Sequence, residues 1–340
     1  MSEWYLLLAP VAALAVLALF RFVGCQAFLN IDEVEYKSTY SGTVVSDAPV
    51  SYWRFQETHS AEPSPGPTVP NAPVAGGVAK DEMSRNDGTY KAVLLQQPPP
   101  SPLPPDSPAA PGSLSLLAAG LLDLSEQQKT SVSVDGGYVE VPFSNSLNLP
   151  SFSLEALVRP EWSPAETGLY RSVVTCNSVD VTPSAPKAFG FGLFAGPDVG
   201  APPGGPDVWQ IWLADGTTFI PFKDPNRSLT AVDFTKTNYL AVTYDDANKK
   251  LNMFVWVSGT DLDSGVGHPL KDVAVPAYRP VSNPTQSLLI GMHRPPIGSG
   301  VSVPFPLYHP FKGRIQEVAI YGKALSAERI ASHVMIGLHV

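Results

Sequence analysis

The chain has 340 residues, enough for two average domains or for one large β-sandwich with accessory segments. Hydrophobic residues make up 44% of it and charged residues only 16%, against about 25% in ordinary globular proteins, so a sizeable core can be filled. The 36 prolines and 27 glycines disfavour long helices, and a net charge of −9 with scattered Lys and Arg leaves no basic stripe for phosphates, which excludes nucleic acid as a partner.

The chain opens on an apolar stretch, WYLLLAPVAALAVLALFRFVGC at 4–25. No residue from Trp4 to Phe20 is charged, and apolar character resumes after Arg21 through Phe22, Val23 and Gly24. That reaches the roughly 20 residues a helix needs to cross a bilayer. Trp4 and Tyr5 stand where an interfacial aromatic belt would be, and Arg21 can snorkel at the other end. Pro10 falls in the second turn, where a membrane helix tolerates a kink. A cleaved signal peptide would carry a positive n-region, but MSEW has Glu3 and no Lys or Arg. The run FVGC resembles a bacterial lipobox with Cys25 as the lipidated residue, although Phe22 stands where Leu is usual. A retained transmembrane anchor over residues 1–29 is therefore expected, with the lipid bilayer as its partner. The positive-inside count sets the α-amino group against Arg21 and Lys37 and points the soluble part to the cytoplasm. The domain type identified below usually works outside it, and the extracytoplasmic side, periplasmic or extracellular, is the expectation.

Residues 30–50 read as a stalk or a first edge strand. Two proline-rich insertions follow, SAEPSPGPTVPNAPVAGG at 60–77 and QQPPPSPLPPDSPAAPG at 96–112, whose composition favours extended polyproline II and bars them from a sheet interior. They serve as surface loops or spacers, or as a clamp laid along a neighbouring subunit. Strand patterns recur through the chain. VSYWRF spans 50–55, and YVEVPF from Tyr138 sets Val139, Val141 and Phe143 on one face. SFSLEALV from Ser151 turns Phe152, Leu154, Ala156 and Val158 inward. Further candidates lie at 171–176, 188–195, 208–214, 239–244, 251–257, 286–292 and 313–321, with turn signals at Asp135-Gly136 and Asp215-Gly216. So many short strands indicate an all-β, two-sheet antiparallel sandwich. One helix is expected after the anchor, from Ala327 with Ser326 as its N-cap and Glu328 in its first turn, ending at Gly337.

Six segments occur in the order of a laminin-G-like, concanavalin A-like jelly-roll domain. They are YWRFQE at 52, DEMSRNDGTY at 81, VDGGYVEVPFSNSLNLPSFSLEALVRP at 134, YLAVTYD at 239, SLLIGM at 287 and FKGRIQEVAIYGKALSAERIASH at 311. The chain resembles that family over residues 51–340, apart from the two insertions. The last segment is the most specific, with a strand ending in Tyr321, then Leu325 and a closing helix. The resemblance implies a jelly roll that recognises carbohydrate or protein, and in many relatives a calcium ion at the sandwich edge. Where relatives often carry Asp, this chain has Gln316 before Glu317.

Few residues offer chemistry. Glycosidases need two carboxylates about 5 to 9.5 Å apart, and no alternating acidic run supplies them. Asp32, Glu33 and Glu35 lie beside the anchor, and no acid separates Glu155 from Glu161. The six histidines are dispersed, which gives zinc little support. Asp261 and Asp263 before Gly265 form part of a calcium-like loop without its later acidic residue, and a polar turn is the preferred reading. Two cysteines make no disulfide framework, and Cys176 reads as a buried free thiol. Trp209 and Trp212, at odd spacing, fall on opposite strand faces, so one is core and the other can stack on a sugar or a partner. The segment from His293, with Phe305, Tyr308, His309 and Phe311, is a candidate binding surface or a cover for the core. Asn226-Arg227-Ser228 matches the N-glycosylation acceptor pattern. The leading functional expectation is a non-catalytic accessory subunit bracing a membrane protein complex, respiratory or photosynthetic. A membrane-tethered carbohydrate- or protein-recognition module is the alternative, a glycoside hydrolase the remote one, and no cofactor is expected.

Overall fold

The computed structural model describes residues 40–55, 77–91, 94–95, 114–116, 138–162, 169–180, 187–198, 205–223, 231–234, 236–258, 270–275, 277–281, 286–293 and 309–337. All belong to one compact unit, Tyr40–Val340. A helix, α1 (Tyr40–Ser46), leads into β1 (Ser51–Trp53), β2 (Val78–Ala79), β3 (Gly88–Lys91), β4 (Leu94–Leu95) and β5 (Leu114–Leu116). Next come β6 (Tyr138–Val141), β7 (Phe152–Pro160), β8 (Arg171–Asp180), β9 (Lys187–Pro197), β10 (Asp207–Ala214) and β11 (Phe219–Phe222). The chain finishes through β12 (Asn238–Asp245), β13 (Lys250–Val257), β14 (Leu270–Ala274), β15 (Leu288–Ile290), β16 (Gly313–Tyr321) and α2 (Ala327–Gly337).

These strands form two sheets. The first runs β14-β13-β12-β7-β16-β5-β4, with β1 also paired to β16, and the second runs β11-β10-β9-β8-β15-β6-β3-β2. Every strand pairing is antiparallel. Alternation dictates the core between them: Phe152, Leu154, Ala156 and Val158 of β7 face Phe191, Leu193 and Ala195 of β9, with Phe152 and Phe191 stacked at 4.9 Å. Val139 and Val141 join the same core as expected, and Cys176 is buried there as a free thiol. The antiparallel two-sheet sandwich with a short C-terminal helix is thus the architecture of the protein.

The motif DEMSRNDGTY does structural work. The Asp81 carboxylate accepts the backbone N–H groups of Tyr52, Met83, Arg85 and Asn86 at 2.8 to 3.1 Å, tying the loop before β3 to β1. The Trp53 indole donates to the Asn86 carbonyl at 2.9 Å. Asp81 in that loop therefore serves backbone satisfaction.

The first sheet departs from the simple sandwich on its outer face, where Ser153, Glu155 and Leu157 of β7 are as buried as the inward residues. Helices α1 and α2 cover them, burying Tyr40, Val44, Ile330 and Val334 against Leu157, Tyr239, Phe254 and Tyr321. Helix α2 has the expected bounds, and the Ser326 hydroxyl accepts the Arg329 N–H at 3.3 Å. The stalk expected over 30–50 is corrected from Tyr40 onward, where a helix packs on the sandwich. YSGTVVS has a glycine and three β-branched residues in seven, so intrinsic propensity opposes a helix that tertiary packing holds. Among the described residues no helix is long and apolar enough to cross a membrane. The anchor residues Trp4, Tyr5, Pro10, Phe20 and Arg21 and the two proline-rich insertions lie outside those residues.

Candidate functional site

Two polar constellations stand out, one on the outer face of each sheet. The first is closed. Glu155 of β7 accepts hydrogen bonds from the Tyr239 and Tyr321 hydroxyls and lies 2.9 Å from His333 Nδ1 of α2. His333 Nε2 reaches Asp47 at 2.8 Å, just beyond α1, and Arg329 pairs with the same carboxylate. Burial alone would lower the His333 pKa, but the hydrogen bonds and charges of Glu155 and Asp47 outweigh it and raise it. Both ring nitrogens face carboxylate oxygens, and the raised pKa favours the protonated form that can donate to each. On β16, Glu317 accepts from the Tyr52 hydroxyl and faces Arg54 at 3.5 Å. Burial pushes its carboxyl up to about 7, against the opposing pull of Arg54 and Tyr52. Glu317 sits at a β-bulge with φ 53, where the register of β16 on β7 shifts between Gln316 and Ala319, and the bulge turns its side chain under the helices. Glu155 and Glu317 are both fully buried, so neither meets a substrate in this arrangement.

The second constellation is partly open. On the outer face of the second sheet, Trp212 of β10 lies edge to face with Tyr170 at 5.2 Å, and Tyr170 likewise with His309 at 5.5 Å. Phe194 of β9 fills the floor, 5.3 Å from Trp212 and 5.4 Å from His293. The two imidazoles stack at 5.6 Å with 25° between their planes. Tyr170, Trp212, His293 and His309 are half-buried, whereas Phe194 beneath them is buried.

Local sequence explains the flatness of this ledge. Gly192 and Gly196 flank Phe194 on the outward side of β9; a Cβ on Gly192 would stand 2.4 Å from the Phe194 ring, and one on Gly196 2.4 Å from Tyr170. Both rings lie down on the sheet because those positions have no side chain. His309 adopts a left-handed backbone, φ 56, and its carbonyl accepts the Ser172 N–H at 2.8 Å. That turn lets its ring lie on the outer face while Phe311, two residues on, enters the core beside Trp162.

Both imidazoles are held neutral. Burial, then the neighbouring His309, takes His293 down to about 3. Burial and the charge of Arg171 take His309 down to about 4, against a backbone hydrogen bond at Tyr170. Asn177 Nδ2 can only donate, so His293 Nε2, 3.1 Å away, accepts. In the neutral ring the proton then sits on Nδ1, and among the described residues that buried nitrogen has no hydrogen-bond partner. A buried donor left unmet costs about 1–3 kcal/mol.

The sequence candidates divide accordingly. Trp212 and His309 are brought together through Tyr170. Trp209, fully buried, is core, its indole donating to Asn238 Oδ1 at 3.1 Å, and Phe311 is core as well. Phe305, Tyr308 and the calcium candidates Asp261 and Asp263 lie outside the described residues. Among the described residues no group of three His, Cys, Asp or Glu converges as a metal site would. Tyr170, Phe194 and Asn177 escaped sequence reasoning; the glycine-interrupted strand AFGFGLFA, with small residues alternating around one aromatic, was the available signal.

No family model matches this chain, and no curated protein matches it. Among solved structures it is similar to domain 4 of AbnA, a GH43 extracellular arabinanase from Geobacillus stearothermophilus, at 13% identity over 74% of this chain and 91% of that one, TM-score 0.41. It is also similar to the CBM40 of the Ruminococcus gnavus IT-sialidase, at 15% identity over 55% and 84%, TM-score 0.37. The binding domain of botulinum neurotoxin DC, in complex with SialylT, shares 14% identity over 75% and 47%, TM-score 0.37. At these scores the likeness carries no inference about a ligand, and the sandwich assignment rests on the strand pairing. The laminin-G-like resemblance stays one of motifs.

Proposed function

We propose that this protein is a non-catalytic recognition module whose ligand is a carbohydrate, bound on the outer face of the second sheet. The observation that carries this reading is the half-buried ledge of Trp212, Tyr170 and His309. Sugars present apolar C–H faces that stack on aromatic rings, and the ledge offers such rings. The buried carboxylates of the first sheet have no route to such a ligand in this arrangement, which supports binding without hydrolysis. A glycan array probed with the full chain tests it: retention of defined glycans by the wild type and not by Trp212→Ala is the expected outcome, and an array without signal from folded protein overturns it.

The apolar segment 4–25 motivates the further proposal that the module is tethered to a membrane, on the extracytoplasmic side. Carbonate extraction of membranes checks this: the full chain is expected in the pellet and a chain lacking residues 1–29 in the supernatant. The bracing of a membrane complex rests on the anchor and the proline-rich insertions, and no feature of the described residues favours it over recognition.

A further inference from the structure

Trp212 is half-buried, and its side chain carries one polar atom, the indole Nε1. That N–H donates to Gln210 Oε1 at 2.9 Å, two positions back on the same face of β10. Gln210 is itself fully buried, and its Nε2 donates to the Pro197 carbonyl at the end of β9 at 3.4 Å. An indole N–H can only donate and a carbonyl can only accept, so a single orientation of the Gln210 amide satisfies both partners. Strand register sets Gln210 opposite Phe194, whose ring packs 5.3 Å from Trp212. The indole is thus held by Gln210 at its nitrogen and by the Phe194 and Tyr170 rings against its carbon framework.

We propose that Gln210 is a positioning residue for the saccharide: without touching the ligand, it fixes the Trp212 indole in the rotamer that presents the ring to a sugar. The proposal rests on the carbohydrate reading above and adds how its stacking plate is set. A tryptophan free to turn about both side-chain torsions must be immobilised when a ligand arrives, and that lost freedom weakens binding. A ring already locked by a buried partner loses nothing further on binding. With Nε1 committed to Gln210, Trp212 offers the ligand an aromatic surface and no hydrogen-bond donor, so it reads the C–H face of a sugar and not its hydroxyls. Lys223 and Asp198 form an ion pair on the same outer face, beside Gln210 and Gly196. The informative replacement is therefore uncharged: Gln210→Met removes the acceptor at similar volume and leaves the charge balance of that pair alone.

The test compares wild type, Gln210→Met, Trp212→Phe and the double variant, each as the full chain in mild detergent. Each is titrated on an array of neutral and acidic oligosaccharides. The Trp212 indole N–H, identified by its loss in Trp212→Phe, is followed by NMR for exchange with deuterated water. Gln210→Met is expected to weaken the apparent Kd about threefold to tenfold in the wild-type background and less than about twofold in Trp212→Phe, whose ring has no N–H to hold. The indole N–H is expected to exchange at least about tenfold faster in Gln210→Met than in wild type. Equal losses in both backgrounds, or an unchanged affinity in Gln210→Met, overturn the positioning role and leave carbohydrate recognition standing. A wild-type Trp212 N–H that exchanges as fast as free indole overturns it too, with no variant of Gln210 needed. No array signal from wild-type protein that unfolds cooperatively overturns both readings. A cooperative urea transition in Gln210→Met shows that its weaker binding is not lost folding.

Discussion

Trp209 and Trp212 stand three residues apart on β10 and have opposite roles. The odd spacing places one indole in the core and the other on the ledge, which period-two geometry requires of any strand. One residue bears on which of the two faces inward: Gln210 shares its parity with Trp212, while Ile211 and Leu213 share theirs with Trp209. Replacing Trp209 with Ala is expected to cost about 3–5 kcal/mol in urea unfolding, since it removes a fully buried indole and its hydrogen bond to Asn238 Oδ1. Cys176 gives a second test at this scale. Burial pushes its thiol up to about 12, so it should react with a thiol reagent about 100-fold more slowly in the native protein than in denaturant. Fast labelling of the native chain would contradict its placement.

The element that departs most from its sequence signal is β16. Its alternation is legible, but the bulge at Glu317 is not, because a bulge is set by what the partner strand and the covering helices demand. The consequence is a pH dependence with a definite sign. Glu317 has its folded pKa raised from 4.5 to about 7, so its contribution is fully present below about 4.5 and is lost as pH rises through about 7. Relative to Glu317→Gln, the wild type is expected to lose about 3 kcal/mol between about pH 4 and about pH 8, read from urea midpoints at each pH. A constant difference across that range would show that the carboxyl is not held protonated. His333 links the two helices to β7 through two carboxylates, and its raised pKa makes its stabilisation likewise fade as pH rises. Removing it as His333→Ala leaves Glu155 buried without that cation and Asp47 with Arg329 alone, with an expected cost of about 3–5 kcal/mol and faster hydrogen exchange in α1 and α2. Helix α1 itself was illegible for a related reason: seven residues of poor helix formers have no local signal, and only the apposed sheet makes them helical.

At the scale of the whole molecule, the two sheets divide the labour. The first is sealed by helices over a hydrogen-bonded ionic cluster, while the second carries a half-buried aromatic ledge on its outer face. A ligand that binds only the folded state adds RT ln(1 + [L]/Kd), so a saccharide at about 100 times its Kd should raise the unfolding free energy by about 2.7 kcal/mol, an increment expected to vanish in Trp212→Ala. The sequence by itself determined the all-β class, most strand positions, the inward faces of β6 and β7, and the bounds and cap of α2. All of these are carried by residues within a few positions of one another, where alternation, turn chemistry and capping act. Only the tertiary structure decided which outer face is sealed by helices and which carries the half-buried aromatic ledge. It also decided that Glu155 meets Tyr239 and His333, which are 84 and 178 residues away, and that Trp212, Tyr170, His293 and His309 share one ledge. Those contacts cross strand pairings whose register depends on the whole sandwich, so no local pattern could announce them.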